Sequence, residues 1–386
     1  MQAVLAEDWE HGGFGLYIHW PFCQAKCPYC DFNSHVVTQI DHKAWESAYL
    51  SEISRLGAET EGRILRSVFF GGGTPSMMDP AVVDAVLTRV RATWPMANDI
   101  EITLEANPTS VEAERFAGYR AAGVNRVSMG IQALNDPDLK ALGRLHGRDE
   151  ALRAFEIARG VFDRVSFDLI YARQGQTLAA WEAELAEALS LAVDHLSLYQ
   201  LTIEDGTAFG DRYAAGKLRG LPDDDAAADM YALTQEVCTA HGFAGYEVSN
   251  HARAGCESIH NQIYWRYGDY AGIGPGAHGR LTLGGHRHAT EAELSPLAWL
   301  SQVRKIGNGD LTRSMLDDAA QATERLLMGM RLTEGVMLER LDIAALSSKI
   351  SYLSDIGMVE IEQGRLRATA AGRPVLNAVL RVLLED

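Results

Sequence analysis

The sequence predicts an α/β fold: a partial, open-sided (β/α)6 barrel followed by a small α+β C-terminal domain. Three observations carry this. Apolar, strand-like runs recur six times, as GLYIHW from Gly15, RSVFFGG from Arg66, DIEITLEA from Asp99, RVSMGIQ from Arg126, RVSFDLIY from Arg164 and HLSLYQLT from His195. Between most of them lie stretches such as HKAWESAYLSEISRL, AVVDAVLTRVRATW and AWEAELAEALSLA, with apolar residues at the helical spacing i, i+3 and i+4. From about Leu311 the alternation stops, and ATERLLMGMRL, LDIAALSSKISYLSDIGMVEIEQGRLRAT and RPVLNAVLRVLL read as helices around a two-stranded hairpin. Alternating strand and helix implies parallel strands joined by right-handed crossovers. Six units are too few for a complete eightfold barrel.

A chain of 386 residues allows one large and one small domain. The expected divisions are a flexible lead-in at 1–13, the barrel with its extension at 14–310 and the C-terminal domain at 311–386. The lead-in, MQAVLAEDWEHGG, lacks the basic start and apolar centre of a signal peptide. With 47% hydrophobic and 23% charged residues, and no apolar run near the roughly 18 residues of a membrane span, the chain reads as cytoplasmic. It is not expected to be an integral membrane protein, which leaves room for peripheral membrane contact. A formal charge of -17 argues against general nucleic-acid binding, because phosphate neutralisation needs a basic surface.

The first strand runs into PFCQAKCPYCDF, which holds three of the five cysteines as Cys23, Cys27 and Cys30. The spacing C-x3-C-x2-C puts three thiolates on one compact loop, with no fourth cysteine nearby to close a tetrahedral zinc site. An iron–sulfur cubane is usually held by four cysteines, so three leave one iron with an exchangeable position. A zinc knuckle completed by His19 or His35 is the competing reading. An odd cysteine count without a secretory signal suits metal-bound thiolates better than disulfides. Barrel chemistry sits on loops at the C-terminal strand ends. The other strand ends carry Gly71-Gly72-Gly73-Thr74-Pro75, Glu105-Ala106-Asn107-Pro108 and Gln132, with Asp168 inside the fifth strand. Three consecutive glycines remove every Cβ, so backbone groups can approach a polar ligand.

The cysteine spacing, with Tyr29 before the last cysteine, resembles the radical S-adenosylmethionine superfamily. LYIHWPFC, FFGGGTPS, LEANP, RVSMGIQ, LGRLH, DLI and GYEVSN then occur together and in order. They are similar to the coproporphyrinogen dehydrogenase-like branch, and within it to the HemW-type haem chaperones, from Phe14 onward. The resemblance implies a partial radical-SAM barrel, a winged-helix-like C-terminal domain and a [4Fe-4S] cluster on Cys23, Cys27 and Cys30. It places Tyr17, Tyr29, Gly72, Gly73, Thr74, Glu105, Gln132, Arg144 and Asp168 around S-adenosylmethionine. Carboxylates can accept from its ammonium or ribose hydroxyls, Arg144 can pair with its carboxylate and the tyrosines offer aromatic walls. One departure follows DLIY, where the branch carries a Gly-Leu-Pro-Gly turn. Here Tyr171-Ala172-Arg173-Gln174-Gly175-Gln176-Thr177 is expected to bring the Arg173 charge to the cavity mouth.

Further along, Asp223 and Asp224 precede a long Ala-rich helix on which Cys238 reads as a small buried hydrophobe. Cys256 and His260 alone are too few ligands to hold a metal firmly. His260-Asn261-Gln262-Ile263-Tyr264-Trp265 matches the HNxxYW stretch of HemW-like proteins, which implies haem contact through His260, Asn261, Tyr264 and Trp265. His260 is the preferred iron ligand, with His278, His286 and His288 in reserve. YAGIGPGAHG from Tyr270 precedes a strand rather than opening a helix, so it is not a dinucleotide fingerprint and is expected to close the barrel beside the cofactor. The C-terminal domain has no basic helix, so its winged fold suggests a lid or partner surface. The implied function is carriage of haem to an acceptor protein, with no catalytic residue assigned. The rival is an oxygen-independent coproporphyrinogen III dehydrogenase, a radical oxidative decarboxylase. That type resembles C-x3-C-x2-C-x-C, whereas this chain has Phe32 at the last position, and it has more than the 22 residues found here before Cys23.

Overall fold

The computed structural model describes residues 8–385, and all six expected strands are present in it. They are β1 (Phe14–Trp20), β2 (Leu65–Gly72), β3 (Met96–Ala106), β4 (Arg126–Gln132), β5 (Arg164–Tyr171) and β6 (His195–Gln200). They pair parallel and in chain order. Strands covered on both faces read as apolar runs rather than alternating ones, and Leu16, Ile18, Trp20, Val68, Phe70 and Leu104 are accordingly buried.

The helices between the strands start where side-chain caps satisfy their first N–H groups. Asp41 accepts from the Ala44 N–H ahead of His42–Glu59, Asp79 from Ala81 ahead of Pro80–Thr93, and Thr177 from Ala180 ahead of Leu178–Leu191. Trp45 on the first of these stacks on Trp299 at 5.4 Å, joining the barrel to the helix Pro296–Ile306.

The six strands do not close on themselves but lie within a 12-stranded sheet. Beside β1 the sheet continues with Asp269–Ile273, parallel to it, and then antiparallel with His278–Leu283, His286–Ala292 and Asp310–Met315. Beside β6 it continues antiparallel with Asn250–Ala252 and Ala244–Gly245. The glycine-rich segment from Tyr270 thus lies next to the first barrel strand.

A second core, including Leu326, Met330, Ile350, Leu353, Leu366 and Leu380, belongs to the C-terminal part. There the expected hairpin (Val359–Glu362 and Arg365–Ala368) gains a third strand, Val336–Met337. Arg280 pairs with Glu324 and Arg266 with Glu334, both at 2.9 Å, tying this part to the sheet. A division at 310/311 would cut the strand Asp310–Met315, so we place it after Met315. Of the lead-in, residues 1–7 lie outside the described residues, and Asp8–Gly12 is a helix rather than flexible chain.

Arg173 corrects another expectation. It is 4% exposed and turns inward, donating to Asp138 at 2.7 Å, to Glu184 at 2.6 Å and to the Ile170 carbonyl, so its charge is neutralised away from the cavity mouth. Arg173→Ala would leave Glu184 with amide donors but no countercharge. Breaking a buried pair this way should lower stability by about 3 kcal/mol in urea unfolding, and an unchanged midpoint would contradict this account.

Candidate functional site

The chain leaves β1 and returns to the same place. Phe22–Cys23 pairs in parallel with His35–Val36, and the His35 N–H donates to the Pro21 carbonyl at 2.7 Å. The segment between is therefore a closed loop whose three free thiols line one cavity of about 140 Å³. From the far side the Phe209 N–H donates to the Pro28 carbonyl at 2.8 Å, and Tyr29 packs on the Phe209 ring at 6.4 Å. Among the described residues no three His, Cys, Asp or Glu side chains converge on a single-ion site; the cysteines ring a cavity instead.

The glycine loop after β2 supports the cysteine loop directly. The Gly73 N–H donates to the Trp20 carbonyl at 2.7 Å, the Thr74 N–H to the Phe22 carbonyl at 2.8 Å and the Gly72 N–H to Glu105 at 3.3 Å. A Cβ on Gly73 would lie 2.7 Å from the Phe22 carbonyl oxygen. The missing side chain therefore admits the stem of the cysteine loop, while Gly73 also lines the cavity. The loop's Gly72, Gly73 and Thr74 line the cavity with their N–H groups engaged.

Two of the sulfurs are held by one chain of contacts. Thr74 Oγ1 donates to Cys23 Sγ at 3.4 Å and accepts from Asn107 Nδ2 at 3.2 Å. Arg144 donates to Asn107 Oδ1 at 2.6 Å, to the Gly130 carbonyl at 2.8 Å and to Cys27 Sγ at 3.2 Å. Burial raises the Cys23 and Cys30 thiols above their usual range.

Opposite the cysteines stand two carboxylates. Burial, with the charge of Asp168, pushes Glu105 up to about 8, and burial pushes Asp168 up to about 6 even though Ser128 donates to it at 3.3 Å. Gln132 closes this wall with φ +74, a conformation rare outside glycine, at the register shift ending β4. A shielded pair of carboxylates favours a cationic guest.

A second cavity, of about 410 Å³, adjoins the first and shares Gly72, Glu105 and Phe32 with it. Tyr17, Tyr264, Trp265, Tyr270 and Met328 give it largely apolar walls, with His19 and His278. Tyr17 thus lines this cavity rather than that of the cysteines. The HNxxYW stretch forms the helix Ile259–Trp265, on which His260 and Tyr264 are neighbours at i, i+4, as are Asn261 and Trp265. Tyr264 and Trp265 reach the cavity; His260 and Asn261 do not. Asn261 donates to the Tyr246 hydroxyl at 3.4 Å. His260 is 2% exposed, stacks on Phe69 at 4.9 Å and has each ring nitrogen 2.7 Å from a hydroxyl, of Ser67 and of Tyr264. Burial and Arg126 hold it neutral, down to about 3. The preferred iron ligand of the sequence reading therefore offers no free nitrogen.

The radical SAM superfamily model matches residues 17–188, and the HemN C-terminal domain model matches residues 316–375. Heme chaperone HemW of Mycobacterium tuberculosis (strain ATCC 25618 / H37Rv) is 37% identical over 385 residues, covering 96% of this chain and 95% of that protein. The chain belongs to the HemW family of the radical SAM superfamily. Heme chaperone HemW of Escherichia coli (strain K12) is 45% identical over 269 residues, 69% of this chain and 70% of that protein. A Bos taurus relative, "Radical S-adenosyl methionine domain-containing protein 1, mitochondrial", is 39% identical over 384 residues, 96% of this chain and 87% of that protein. Among solved structures, coproporphyrinogen III oxidase (HemN) from Escherichia coli superposes with a TM-score of 0.80 at 22% identity, covering 96% of this chain and 90% of that one. At that identity the likeness establishes a shared fold.

Sequence reasoning missed the orienting role of Asn107, the contributions of Ser128 and Gly130 to the first cavity, and those of Tyr270 and Met328 to the second. Asn107 was visible beside Glu105; Met328 carried no signal, since it comes from the C-terminal part.

Two measurements test this geometry. Gly73→Val should push the Phe22 backbone away, costing about 1–3 kcal/mol, and speed hydrogen exchange between residues 22 and 36; unchanged exchange would refute the contact. For Glu105, the folded carboxyl is raised to about 8 from 4.5, so between these values the folded protein keeps a proton that the unfolded chain has lost. Stability from this group is thus lost as pH rises through that window. The fall in melting temperature between about pH 6 and about pH 8 should shrink in Glu105→Gln, and equal slopes would show that Glu105 ionises normally.

Proposed function

We propose that this chain is a haem chaperone that works in the cytoplasm. In this reading it carries a [4Fe-4S] cluster on Cys23, Cys27 and Cys30 with S-adenosylmethionine beside it. Haem occupies the adjoining aromatic cavity and passes to an acceptor protein. The observation that carries the reading is the adjacency itself: a cavity ringed by three thiols shares a wall with a roomier one lined by Tyr17, Tyr264, Trp265 and Tyr270. Relatives named heme chaperone HemW support it.

The residues present fit the cofactors. Three thiols leave one iron position for a ligand. The buried carboxyls of Glu105 and Asp168 suit the cationic groups of S-adenosylmethionine. Arg144, though engaged with protein partners, lies on the same wall and suits its carboxylate. Bound there, the cluster would supply an electron to the cofactor. Because burial raises Cys23 and Cys30, loading iron must release protons, and iron affinity should weaken in acid. Of the two histidines the zinc alternative would use, His19 is engaged at both nitrogens, and His35 holds Asn33 through Nε2 at 3.1 Å.

Phe32 weighs against the decarboxylase. It is 57% exposed and lines both cavities, so an apolar ring stands where the resemblance puts a further thiol in the oxidase type. Among the described residues no helix is long and apolar enough to cross a membrane.

Cys30→Ala protein, reconstituted anaerobically, should lose its iron and sulfide; a full complement would sink the cluster assignment. Trp265→Ala should weaken haem binding by at least about tenfold with iron and sulfide unchanged, because the cavity loses flat apolar contact. Wild-type protein given S-adenosylmethionine and an electron donor should leave coproporphyrinogen III intact. Robust decarboxylation would favour the rival function.

A further inference from the structure

We propose that His278 is the side chain that binds the iron of haem held in the second cavity. The assignment rests on the reading of that cavity as the haem site. Imidazole is a common protein ligand of haem iron, and it must offer a nitrogen lone pair that is not already accepting a hydrogen bond.

Two histidines line the cavity, His19 and His278. His19 is excluded by its bonds. Its Nε2 can only donate to the Asn33 carbonyl, at 2.9 Å, so the lone pair is on Nδ1, where the Tyr17 hydroxyl occupies it at 3.0 Å. His260 stands behind the wall with both nitrogens bonded. His286 and His288 lie outside the lining, and His288 Nδ1 is bonded to the His286 carbonyl at 2.9 Å. His278 is exposed, and its ring makes no hydrogen bond or ion pair among the described residues.

Its backbone, by contrast, is held firmly. His278 opens the strand His278–Leu283, opposite Glu291. Ahead of it, the Gly276 N–H donates to the Glu293 carbonyl at 2.9 Å and the Ala277 N–H to the Gly274 carbonyl at 3.1 Å. Asn33, from the cysteine loop, donates Nδ2 to the Pro275 and Leu294 carbonyls, both at 2.9 Å. Gly274, at φ +108, passes so close to β1 that a Cβ would lie 2.3 Å from the His19 carbonyl oxygen. A fixed backbone with a free imidazole is the arrangement a preorganised ligand requires. Tyr264, Trp265, Tyr270 and Met328 surround it with the flat and soft apolar contact a porphyrin face takes.

The test is titration of haemin into the anaerobically purified full chain, followed by optical and EPR spectra, for wild type, His278→Ala, His278→Gln and His260→Ala. Wild type should show an imidazole-ligated iron. Both variants at 278 should lose that signature and bind at least about tenfold more weakly, and added imidazole should restore the signature in the alanine variant. His260→Ala should keep it. Iron and sulfide content and melting temperature should stay at wild-type values in the 278 variants, separating lost ligation from lost folding. Survival of the wild-type spectrum and affinity in both 278 variants overturns the assignment and leaves the chaperone reading standing. A wild-type chain that takes up no haem overturns both.

Discussion

The site depends on one contact between two backbones. Gly73 lies against Phe22 where any side chain would intrude, and the Thr74 N–H completes the join by donating to the Phe22 carbonyl. Through it the loop after β2 fixes the stem of the loop after β1, and with it Cys23. Thr74, Asn107 and Arg144 extend that restraint to Cys27. Side chains from the segments after β2, β3 and β4 thereby orient sulfurs that lie far from them in sequence. An open parallel sheet makes this geometry available, because its strand ends all face the same way.

Much of the architecture was legible in the sequence because it is local. Apolar runs alternating with helical periods specify parallel strands, and each of the six recurs as β1 to β6 with only small changes at the ends. The cysteine loop was legible for a related reason: three thiols within eight positions have to share a neighbourhood. What stayed hidden depends on pairings distant in sequence. Nothing near Arg173 announces Glu184 and Asp138 as its partners, so its charge was expected at the cavity mouth. The third strand of the C-terminal sheet, two residues long, is too short for any period to show.

The HNxxYW stretch divides between two environments that its sequence does not distinguish. Its helix does border the aromatic cavity, and Tyr264 and Trp265 do face it. His260, one turn earlier, is instead a keystone beneath the wall, stacked on Phe69 and bonded to Ser67 of β2. Those partners lie nearly half the chain away. Without them an imidazole next to two aromatics looks like a ligand; with them it is bonded to the hydroxyl of Tyr264, whose ring lines the cavity.

Gly72, Glu105 and Phe32 belong to both cavities, and a wall held in common is a route by which the two compartments can be coupled. A guest that shifts Phe32, or that changes the proton on Glu105, alters the lining its neighbour meets. Linkage then demands symmetry: whatever factor one guest imposes on the affinity of the other is returned in full. In the proposed reading, such a wall would let the occupancy of the thiol-lined cavity set how tightly the aromatic one holds haem, with no moving domain required.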